Sequence, residues 1–146
     1  IRRRHPTHLL KVDVPTDLPF IRCDSVLIER VLINLMENAV KFSPLNSTVS
    51  LSARHDDEQL EIIVADQGGG IPEAERLKVF EPFYRLDTSV VGGGLGLSIC
   101  RSIVQAHGGI IWISPSETGT AIHITLPALQ DAPLINAASC EDHHHE

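Results

Sequence analysis

The sequence lacks a long apolar run, an extended basic cluster and a paired set of cysteines. Its formal net charge is -7 over 146 residues, and one short basic run occupies positions 2–4. This charge excludes a general attraction to nucleic acid or to anionic lipid. No segment approaches the roughly 20 apolar residues that span a bilayer, so we expect no direct contact of this domain with a membrane.

Cysteine is scarce, since only Cys23, Cys100 and Cys140 are present, far apart in the sequence. An odd number at such spacings excludes a disulfide framework and a Cys-x-x-Cys metal site. We therefore expect free thiols in a reducing compartment, which predicts a cytoplasmic domain.

The length favours a single domain whose core needs no metal or disulfide support. We expect this domain at 9–127, preceded by the end of an upstream linker at 1–8. The chain from 128 to 146 is expected to be a disordered tail, because its hydrophobic periodicity is lost. The histidines near its end have no fixed geometry, so we expect no specific metal site there.

The hydrophobic pattern predicts five strands and three helices. Strands are predicted at 8–14, 49–53, 60–65, 110–114 and 120–126. Helical spacing and helix-start signals predict helices at 24–42, 71–80 and 97–107. Short turns join the last four strands into two hairpins, which are antiparallel. The predicted class is α+β, a two-layer α/β sandwich with a mixed, mostly antiparallel sheet of about five strands covered by three helices on one face.

The first predicted helix carries a polar stripe formed by Asn34, Glu37, Asn38 and Lys41. Residues three and four apart lie on one side of a helix, so these side chains converge. Amide and carboxylate oxygens are ligands that suit Mg²⁺. An ordinary solvated helix face is the alternative, and for such a stripe taken alone it is the commoner case.

Two glycine-rich stretches follow, at 66–70 and 92–97. The first begins with Asp66, whose carboxylate only accepts hydrogen bonds and so favours the exocyclic amine of adenine over the carbonyl oxygen of guanine. In the second, the amides of Gly94, Gly96 and Leu97 enter a helix and can hold phosphate. No strand directly precedes this stretch and no Gly-Lys-Ser/Thr ends it, which argues against dinucleotide-binding and P-loop folds. A simple turn and a flexible linker are the alternatives.

Taken together, the segments 34–42, 66–70, 80–85 and 92–97 resemble the N, G1, F and G2 boxes of sensor histidine kinases, which belong to the GHKL superfamily with its Bergerat fold. Order and spacing both fit, and the resemblance covers about 9–127. The sequence segments 29–35 and 99–104 look most similar to the corresponding segments of Kdp-type, potassium-responsive sensor kinases. This resemblance implies ATP as the substrate and a membrane-anchored parent kinase.

The resemblance also implies roles for the polar residues. Asn38 would bind Mg²⁺, with Glu37 near the metal and its waters. Asn34 and Lys41 would lie near the phosphates, and Arg85 would reach them from the 85–92 segment, a short lid that closes over the nucleotide. Asn34, Glu37, Lys41 and Arg85 thus form the implied catalytic set.

The remaining implied positions surround the nucleotide. In chain order they are Asp66, Gly68, Gly70, Phe80, Phe83, Gly94, Leu95, Gly96 and Leu97. Asp66 would recognise adenine, and the glycines would shape the base pocket and let the lid turn. Both phenylalanines would brace the lid, or alternatively serve only as core residues.

The residue at position 34 distinguishes between phosphoryl transfer and ATP hydrolysis as the predicted activity. Related GHKL ATPases commonly have a glutamate four residues before the metal-binding asparagine, where it activates water. A neutral amide cannot accept that proton, so the sequence favours transfer to a histidine, whose neutral imidazole is already a nucleophile. A nucleotide-dependent interaction switch and a GHKL-type ATPase are the alternatives.

The phosphoacceptor is expected on another segment. No histidine here has the helical sequence context of the family's acceptor, so we expect the dimerisation and phosphoacceptor helices of the same kinase, and a downstream response regulator, as partners. Gln67 stands where the family usually has asparagine, and the short lid leaves fewer residues to cover the γ-phosphate. Both departures put the nucleotide affinity in question.

Overall fold

Five strands and two α-helices form the part of the chain that the structure, a computed structural model, describes. That part comprises residues 8–68, 74, 76, 78–81, 95–115 and 119–129. The elements are, in chain order, β1 (Leu9–Asp13), α1 (Ser25–Phe42), β2 (Thr48–His55), β3 (Gln59–Ala65), α2 (Leu95–Ala106), β4 (Ile110–Pro115) and β5 (Thr120–Pro127).

The strands form one sheet in the order β1-β2-β3-β5-β4. β1 pairs with β2 in parallel, with α1 as the connection between them, and the other three pairings are antiparallel. A parallel pair needs such a crossover, whereas short turns suffice within β2–β3 and β4–β5. The prediction of a mixed, mostly antiparallel sheet of about five strands is confirmed.

The start and end of α1 follow from its sequence. The Asp24 carboxylate accepts hydrogen bonds from the backbone N–H groups of Val26 and Leu27 at 3.0 and 3.1 Å, a cap that contributes about 1 kcal/mol. The helix stops before Pro44, which disfavours helical geometry in the preceding residue. The Ser43 hydroxyl donates to the Ala39 carbonyl at 2.7 Å. The predicted helix at 24–42 is thus confirmed.

The core lies between one face of the sheet and the two helices. Its most deeply buried side chains come from both layers and are Val31, Leu35, Met36, Val49, Val64, Cys100, Val104 and Ile124. The contribution of β1 is smaller than its alternation predicts. Leu10 packs against the core, but Val12 remains 50% exposed.

The expectation of three helices needs correction, because the described residues contain two α-helices. The predicted helix at 71–80 lies largely outside the described residues, and its described end is a 3-10 turn at Lys78–Phe80. There the Glu81 N–H donates to the Lys78 carbonyl at 2.9 Å. Pro82 follows, and the residue before a proline is disfavoured from continuing a helix.

The C-terminal end of α2 is tied to the N-terminal end of α1. The Asp24 N–H donates to Nε2 of His107 at 3.0 Å, so Nδ1 carries the proton that is donated to the Ile103 carbonyl at 2.7 Å. Gly108 follows with φ of 78°, a conformation that suits glycine after a helix. A Cβ on Gly109 would lie 1.9 Å from the Thr125 carbonyl oxygen, which leaves room only for glycine.

Contacts with the body of the fold continue just beyond β5. The Ala128 N–H donates to the Glu58 carbonyl and the Leu129 N–H to the Phe20 carbonyl, both at 2.8 Å, and Ala128 is 8% exposed. The expected division into 1–8, 9–127 and 128–146 stays a prediction. Neither helix in the described residues has the length and apolar character needed to span a bilayer.

Candidate functional site

The polar stripe predicted on the first helix occupies the C-terminal half of α1. Asn34, Glu37 and Asn38 are half-buried, and Lys41 is exposed. Half-burial leaves their polar groups accessible from one side while the neighbouring Leu35 and Met36 are inside the core. The stripe therefore lies at the rim of the helix layer, which is where a ligand can reach it.

Gly96 brings the second glycine cluster to this stripe. An ideal Cβ built on Gly96 would lie 3.8 Å from Nδ2 of Asn38, so the first turn of α2 lies directly beside the Asn38 side chain. Helix N-termini carry unpaired N–H groups and partial positive charge, which favour phosphate. This juxtaposition joins two separately predicted parts of the site, 58 residues apart in sequence.

The start of α2 differs slightly from the prediction. The helix begins at Leu95 rather than Leu97, so Gly96 lies within its first turn. Leu97 is half-buried and packs against the core. Only its backbone N–H is therefore predicted to lie beside the nucleotide, because its side chain packs in the interior.

One turn further along α2, Cys100 is buried against α1. Its thiol donates to the Val31 carbonyl at an Sγ to O distance of 3.8 Å. Burial raises the pKa of this thiol to about 11, and the hydrogen bond from Asn34 partly opposes the rise. The sequence analysis treated Cys100 only as a free thiol and did not connect it with the site.

Asp66 lies where β3 ends, in a tight turn. Its Oδ1 accepts a hydrogen bond from the Gly68 N–H at 2.8 Å, and its own N–H donates to the Thr120 carbonyl at 2.9 Å. Burial raises the pKa of the Asp66 carboxyl, while hydrogen bonds from the backbone N–H groups of Gly68 and Thr120 oppose the rise. One carboxylate oxygen is thus fixed by the turn, which orients the side chain for a ligand.

Gly119 supports this turn from the other side, a role that sequence reasoning missed. A Cβ on Gly119 would lie 2.4 Å from the Asp66 carbonyl oxygen and 2.8 Å from the Gly68 nitrogen. Only glycine allows this approach. The sequence placed Gly119 in a turn between two strands, and nothing local to that turn indicates Asp66 as its neighbour.

Gln67, which departs from the family pattern, has a structural contact. Its Oε1 accepts a hydrogen bond from the Thr48 N–H at 2.8 Å. The side chain therefore links the Asp66 turn to the start of β2. This contact uses the side-chain amide that stands where the family usually has asparagine.

Phe80 is 4% exposed and belongs to the hydrophobic core, next to Val79 in the 3-10 turn that contacts α2. The structure thus shows the core packing that was the alternative for this residue, and its role in bracing a lid stays a prediction. Gly70, Phe83, Arg85 and Gly94 lie outside the described residues. The individual ligand-binding roles of the site residues also stay predictions.

The donor set at the stripe fits Mg²⁺. Asn38 offers an amide oxygen and Glu37 a carboxylate, both hard oxygen ligands of the kind that Mg²⁺ accepts alongside phosphate and water. Gly96 has no side chain that would occupy the space beside Asn38. A metal held there would lie next to the N-terminus of α2, where phosphate is also favoured.

A separate surface pocket lies at the opposite end of the helix pair. Its lining residues are Arg22, Cys23, Asp24, Ala106, His107, Pro127, Ala128 and Leu129. Asp24 is 14 residues before Asn38, which corresponds to about 20 Å along a helix. This pocket is therefore distinct from the predicted nucleotide site.

A polar chain crosses the face of the sheet that α1 and α2 leave uncovered. Arg54 Nε donates to Glu61 at 2.6 Å, His123 Nδ1 lies 2.7 Å from the other Glu61 oxygen, and Ser114 Oγ lies 2.7 Å from His123 Nε2. The His123 side chain is 13% exposed because Trp112 stacks on it with ring centroids 4.9 Å apart. We interpret this chain as a cross-strand stabilising network.

Comparison with known proteins agrees with this geometry. The model of the histidine kinase-, DNA gyrase B- and HSP90-like ATPase family matches residues 23–130. The adaptive-response sensory kinase SasA of Gloeothece citriformis is 40% identical over 125 residues, which cover 83% of this chain and 32% of that protein. The chain thus spans about a third of the length of this curated relative.

Solved structures give the same result. The mycobacterial sensor histidine kinase MprB matches with a TM-score of 0.81 and 36% identity, over 87% of this chain and 88% of that one. Full-length ShkA in complex with AMPPNP matches with a TM-score of 0.75 and 30% identity, over 91% and 28%. ThkA in complex with the response regulator TrrA matches with a TM-score of 0.74 and 27% identity, over 90% and 37%.

These comparisons do not support the narrower Kdp-type interpretation, since the curated relatives carry the name SasA. They do support the family interpretation, because the family model matches most of the chain and MprB is 36% identical with 88% of its solved chain covered. This chain belongs to the histidine kinase-, DNA gyrase B- and HSP90-like ATPase family.

Proposed function

We propose that this chain is the ATP-binding catalytic domain of a sensor histidine kinase. It binds ATP with Mg²⁺ and transfers the γ-phosphoryl group to a histidine on a separate dimerisation and phosphoacceptor segment. The observation that carries the proposal is the position of Gly96 beside Asn38, because it joins a phosphate-binding helix start to a metal-binding helix face. The kinases among the relatives, and the AMPPNP bound to ShkA, support it.

The phosphate end of the site is formed where α1 and α2 meet. Bound Mg²⁺ neutralises charge on the phosphate oxygens. Asn38 and Glu37 hold the metal, the N–H groups at the start of α2 bind phosphate, and Lys41 adds positive charge at the stripe. Since the protein's part in phosphoryl transfer is mainly positioning and charge stabilisation, this set of residues is sufficient without a covalent intermediate on the domain.

The base end of the site is formed by the Asp66 turn. The Asp66 carboxylate accepts hydrogen bonds from the Gly68 and Thr120 N–H groups, and its remaining lone pairs can accept a hydrogen bond from the exocyclic amine of adenine. A guanine carbonyl at the same place would meet a second acceptor, which is unfavourable. The site should therefore prefer ATP to GTP.

Asn34 favours transfer over hydrolysis. It is one turn before Asn38 on α1, the place where a water-activating glutamate would act. An amide has no basic site at neutral pH, so water near the γ-phosphate is not activated from this position. A neutral imidazole needs no such base, and a histidine delivered by a partner segment is the acceptor.

The proposed downstream partner is a response regulator, because ThkA forms a complex with the response regulator TrrA. Potassium sensing is not part of the proposal, since the relatives do not support it. A cytoplasmic location and a membrane-anchored parent kinase stay predictions.

Calorimetric titration of the whole chain with ATP, with and without Mg²⁺, tests binding. Asn38→Ala should weaken Mg²⁺-dependent ATP binding by about 10- to 100-fold, the usual cost of disturbing a metal shell. Glu29→Ala is the matched control, because Glu29 is an exposed residue on the same helix, about two and a half turns away. Equal affinities for the unaltered chain and Asn38→Ala would contradict the proposed metal site.

Adding the phosphoacceptor helices of the same kinase as a separate polypeptide tests transfer. With γ-labelled ATP, label should appear on the acceptor histidine, should be lost with Asn38→Ala, and should not accumulate on this chain alone. Binding without transfer would indicate a nucleotide-dependent switch. Steady phosphate release that Glu37→Ala abolishes would indicate an ATPase.

A further inference from the structure

The strand β4 (Ile110–Pro115) is the outermost strand on one side of the sheet. β5 pairs with one side of β4, and among the described strands none pairs with its other side. Such an edge presents N–H and C=O groups to other chains, and proteins usually protect it with charged residues. The sequence of β4 has no charged residue, and its one proline is at its end. This edge therefore lacks most of the usual protection against pairing.

The β4 edge also exposes apolar side chains. Ile110 is 63% exposed and Trp112 is 36% exposed, both on the face of the sheet that the helices leave uncovered, whereas Ile111 and Ile113 are buried in the core. β-branched and aromatic residues of this kind favour extended strands. The edge thus offers apolar surface and backbone hydrogen-bonding groups to the same neighbour.

One hydrogen bond shows which backbone groups of β4 face outward. The Ile110 N–H donates to the Thr125 hydroxyl on β5 at 3.3 Å, so it points towards β5. The direction of the N–H groups alternates along a strand. The N–H groups of Ile111 and Ile113 therefore point away from β5, towards the outer side of the edge.

This arrangement is complementary to itself. In an antiparallel pair of two β4 strands centred on Trp112, Ile111 lies opposite Ile113 of the second copy, and their outward N–H and C=O groups form a hydrogen-bonded pair. The two Trp112 residues then form the pair without hydrogen bonds, in which opposite side chains are closest. No charged side chain of β4 has to lose water or meet a like charge. By contrast, the opposite edge strand β1 carries the protecting charges of Lys11 and Asp13.

We propose that β4 is a self-association edge, at which a second copy of this chain pairs its own β4 in antiparallel orientation, so that one sheet continues across both copies. The pairing is isologous and occupies the same edge in each copy, so it closes at the dimer. It goes beyond the proposed kinase function and does not depend on it. It is also separate from the dimerisation segment proposed above, because it lies within this domain.

Sedimentation equilibrium of the whole chain over a range of concentrations tests the proposal. Salt should be present, because each copy has a net charge of -7 and screening reduces the repulsion between copies. The unaltered chain should show a monomer–dimer equilibrium. Ile110→Lys should raise the dimer dissociation constant by about 30-fold, since two isoleucine side chains lose their burial. Ile110→Thr keeps a β-branched side chain for folding and should cause a smaller rise in the same direction.

Leu9→Lys is the matched control. Leu9 is an apolar residue on the opposite edge strand and is 66% exposed, so the same substitution there should leave the dimer dissociation constant unchanged. Trp112 is the single tryptophan of the chain and reports on the edge directly. Its emission should shift to shorter wavelength as the concentration of the unaltered chain or of Leu9→Lys rises. Ile110→Lys should show no shift over the same concentrations.

Three outcomes would overturn the inference. They are an unaltered chain that stays monomeric at every concentration, a dimer that Ile110→Lys and Ile110→Thr leave intact or that Leu9→Lys disrupts equally, and association that continues beyond the dimer. Because ATP binding is measured separately on the same variants, failure of the self-association edge leaves the proposed function standing, and failure of ATP binding leaves the edge standing.

Discussion

Replacing Gly119 by alanine should weaken ATP binding through the Asp66 turn, although Gly119 itself has no side chain to contact a ligand. The added Cβ would lie 2.4 Å from the Asp66 carbonyl oxygen and 2.8 Å from the Gly68 nitrogen. Both are backbone atoms and cannot rotate away. An ordinary contact of 3.4 Å requires the Asp66 carbonyl to move by about 1 Å.

The displacement has a cost in stability and a cost in binding. Overpacking of this kind costs about 1–3 kcal/mol of folding free energy. A carboxylate moved by about 1 Å loses most of its hydrogen bond to the adenine amine, and a hydrogen bond to a charged group contributes about 1.5–3 kcal/mol. The dissociation constant for ATP should therefore rise by about 10- to 100-fold.

Gly109→Ala separates these two costs. Its Cβ would lie 1.9 Å from the Thr125 carbonyl oxygen, so it also destabilises the fold, but Thr125 is five residues along β5 from Thr120, or about 16 Å. Thermal unfolding should show both variants destabilised. Calorimetric titration at a temperature where both are folded should show weaker ATP binding for Gly119→Ala only. An unchanged dissociation constant for Gly119→Ala would refute the reasoning.

Two further predictions concern charged groups. Asp66→Asn keeps an oxygen that can accept a hydrogen bond from the Gly68 N–H, so the variant should fold normally. Calorimetry should show that its ATP binding is weakened by about tenfold and that its preference for ATP over GTP is smaller. Undiminished ATP affinity would contradict adenine recognition by Asp66. The hydrogen bond from Arg54, assisted by His123, lowers the pKa of the Glu61 carboxyl. The ionised Glu61 carboxylate therefore contributes stability above its unfolded-state pKa of about 4.3, and this stability is lost as the pH falls through the folded-state pKa. Circular dichroism during acid titration should therefore show a flatter loss of stability for Glu61→Gln than for the unaltered chain, with Glu29→Gln as the control; identical acid unfolding of Glu61→Gln and the unaltered chain would contradict this role for Glu61.

Elements specified by local sequence were predictable. The α1 helix has its cap at Asp24, its apolar residues at spacings of three and four, and Pro44 just beyond its end. The two hairpins have short polar turns between alternating runs. The 3-10 turn at Lys78–Phe80 was not predicted. The helix-start signals near Pro72 led us to extend a helix to Phe80, whereas Pro82 disfavours helical geometry in the residue before it.

Contacts between distant segments were predictable only where a family pattern supplied them. Four ordered boxes indicated that Asn38 and Gly96 belong to one site, and the structure places the two residues side by side. The hydrogen bond from Cys100 to the Val31 carbonyl depends on the register of the two helices, which no local pattern records. The Kdp-type interpretation was drawn from two short phrases, and the comparisons did not support it.

The polar chain on the uncovered sheet face illustrates the same limit. Glu61 and His123 are separated by 62 residues and meet because β3 pairs with β5 in one specific register. A shift of one residue would turn His123 to the other face. The alternation of polar and apolar residues in a single strand shows which residues share a face of the sheet. It does not show which other strand is paired with that strand.

The place of β5 within the sheet has a consequence for how the chain matures. It is the last of the described strands along the chain but lies between β3 and β4, and Val64 is paired with Ile122, which follows 58 residues later. A nascent chain emerging from the ribosome must therefore expose the apolar edge of β3 until β5 has been synthesised, a period in which unpaired edges invite association between chains. Truncation before 120 would make that exposure permanent, so the domain cannot be shortened from its C-terminal side without a risk of aggregation.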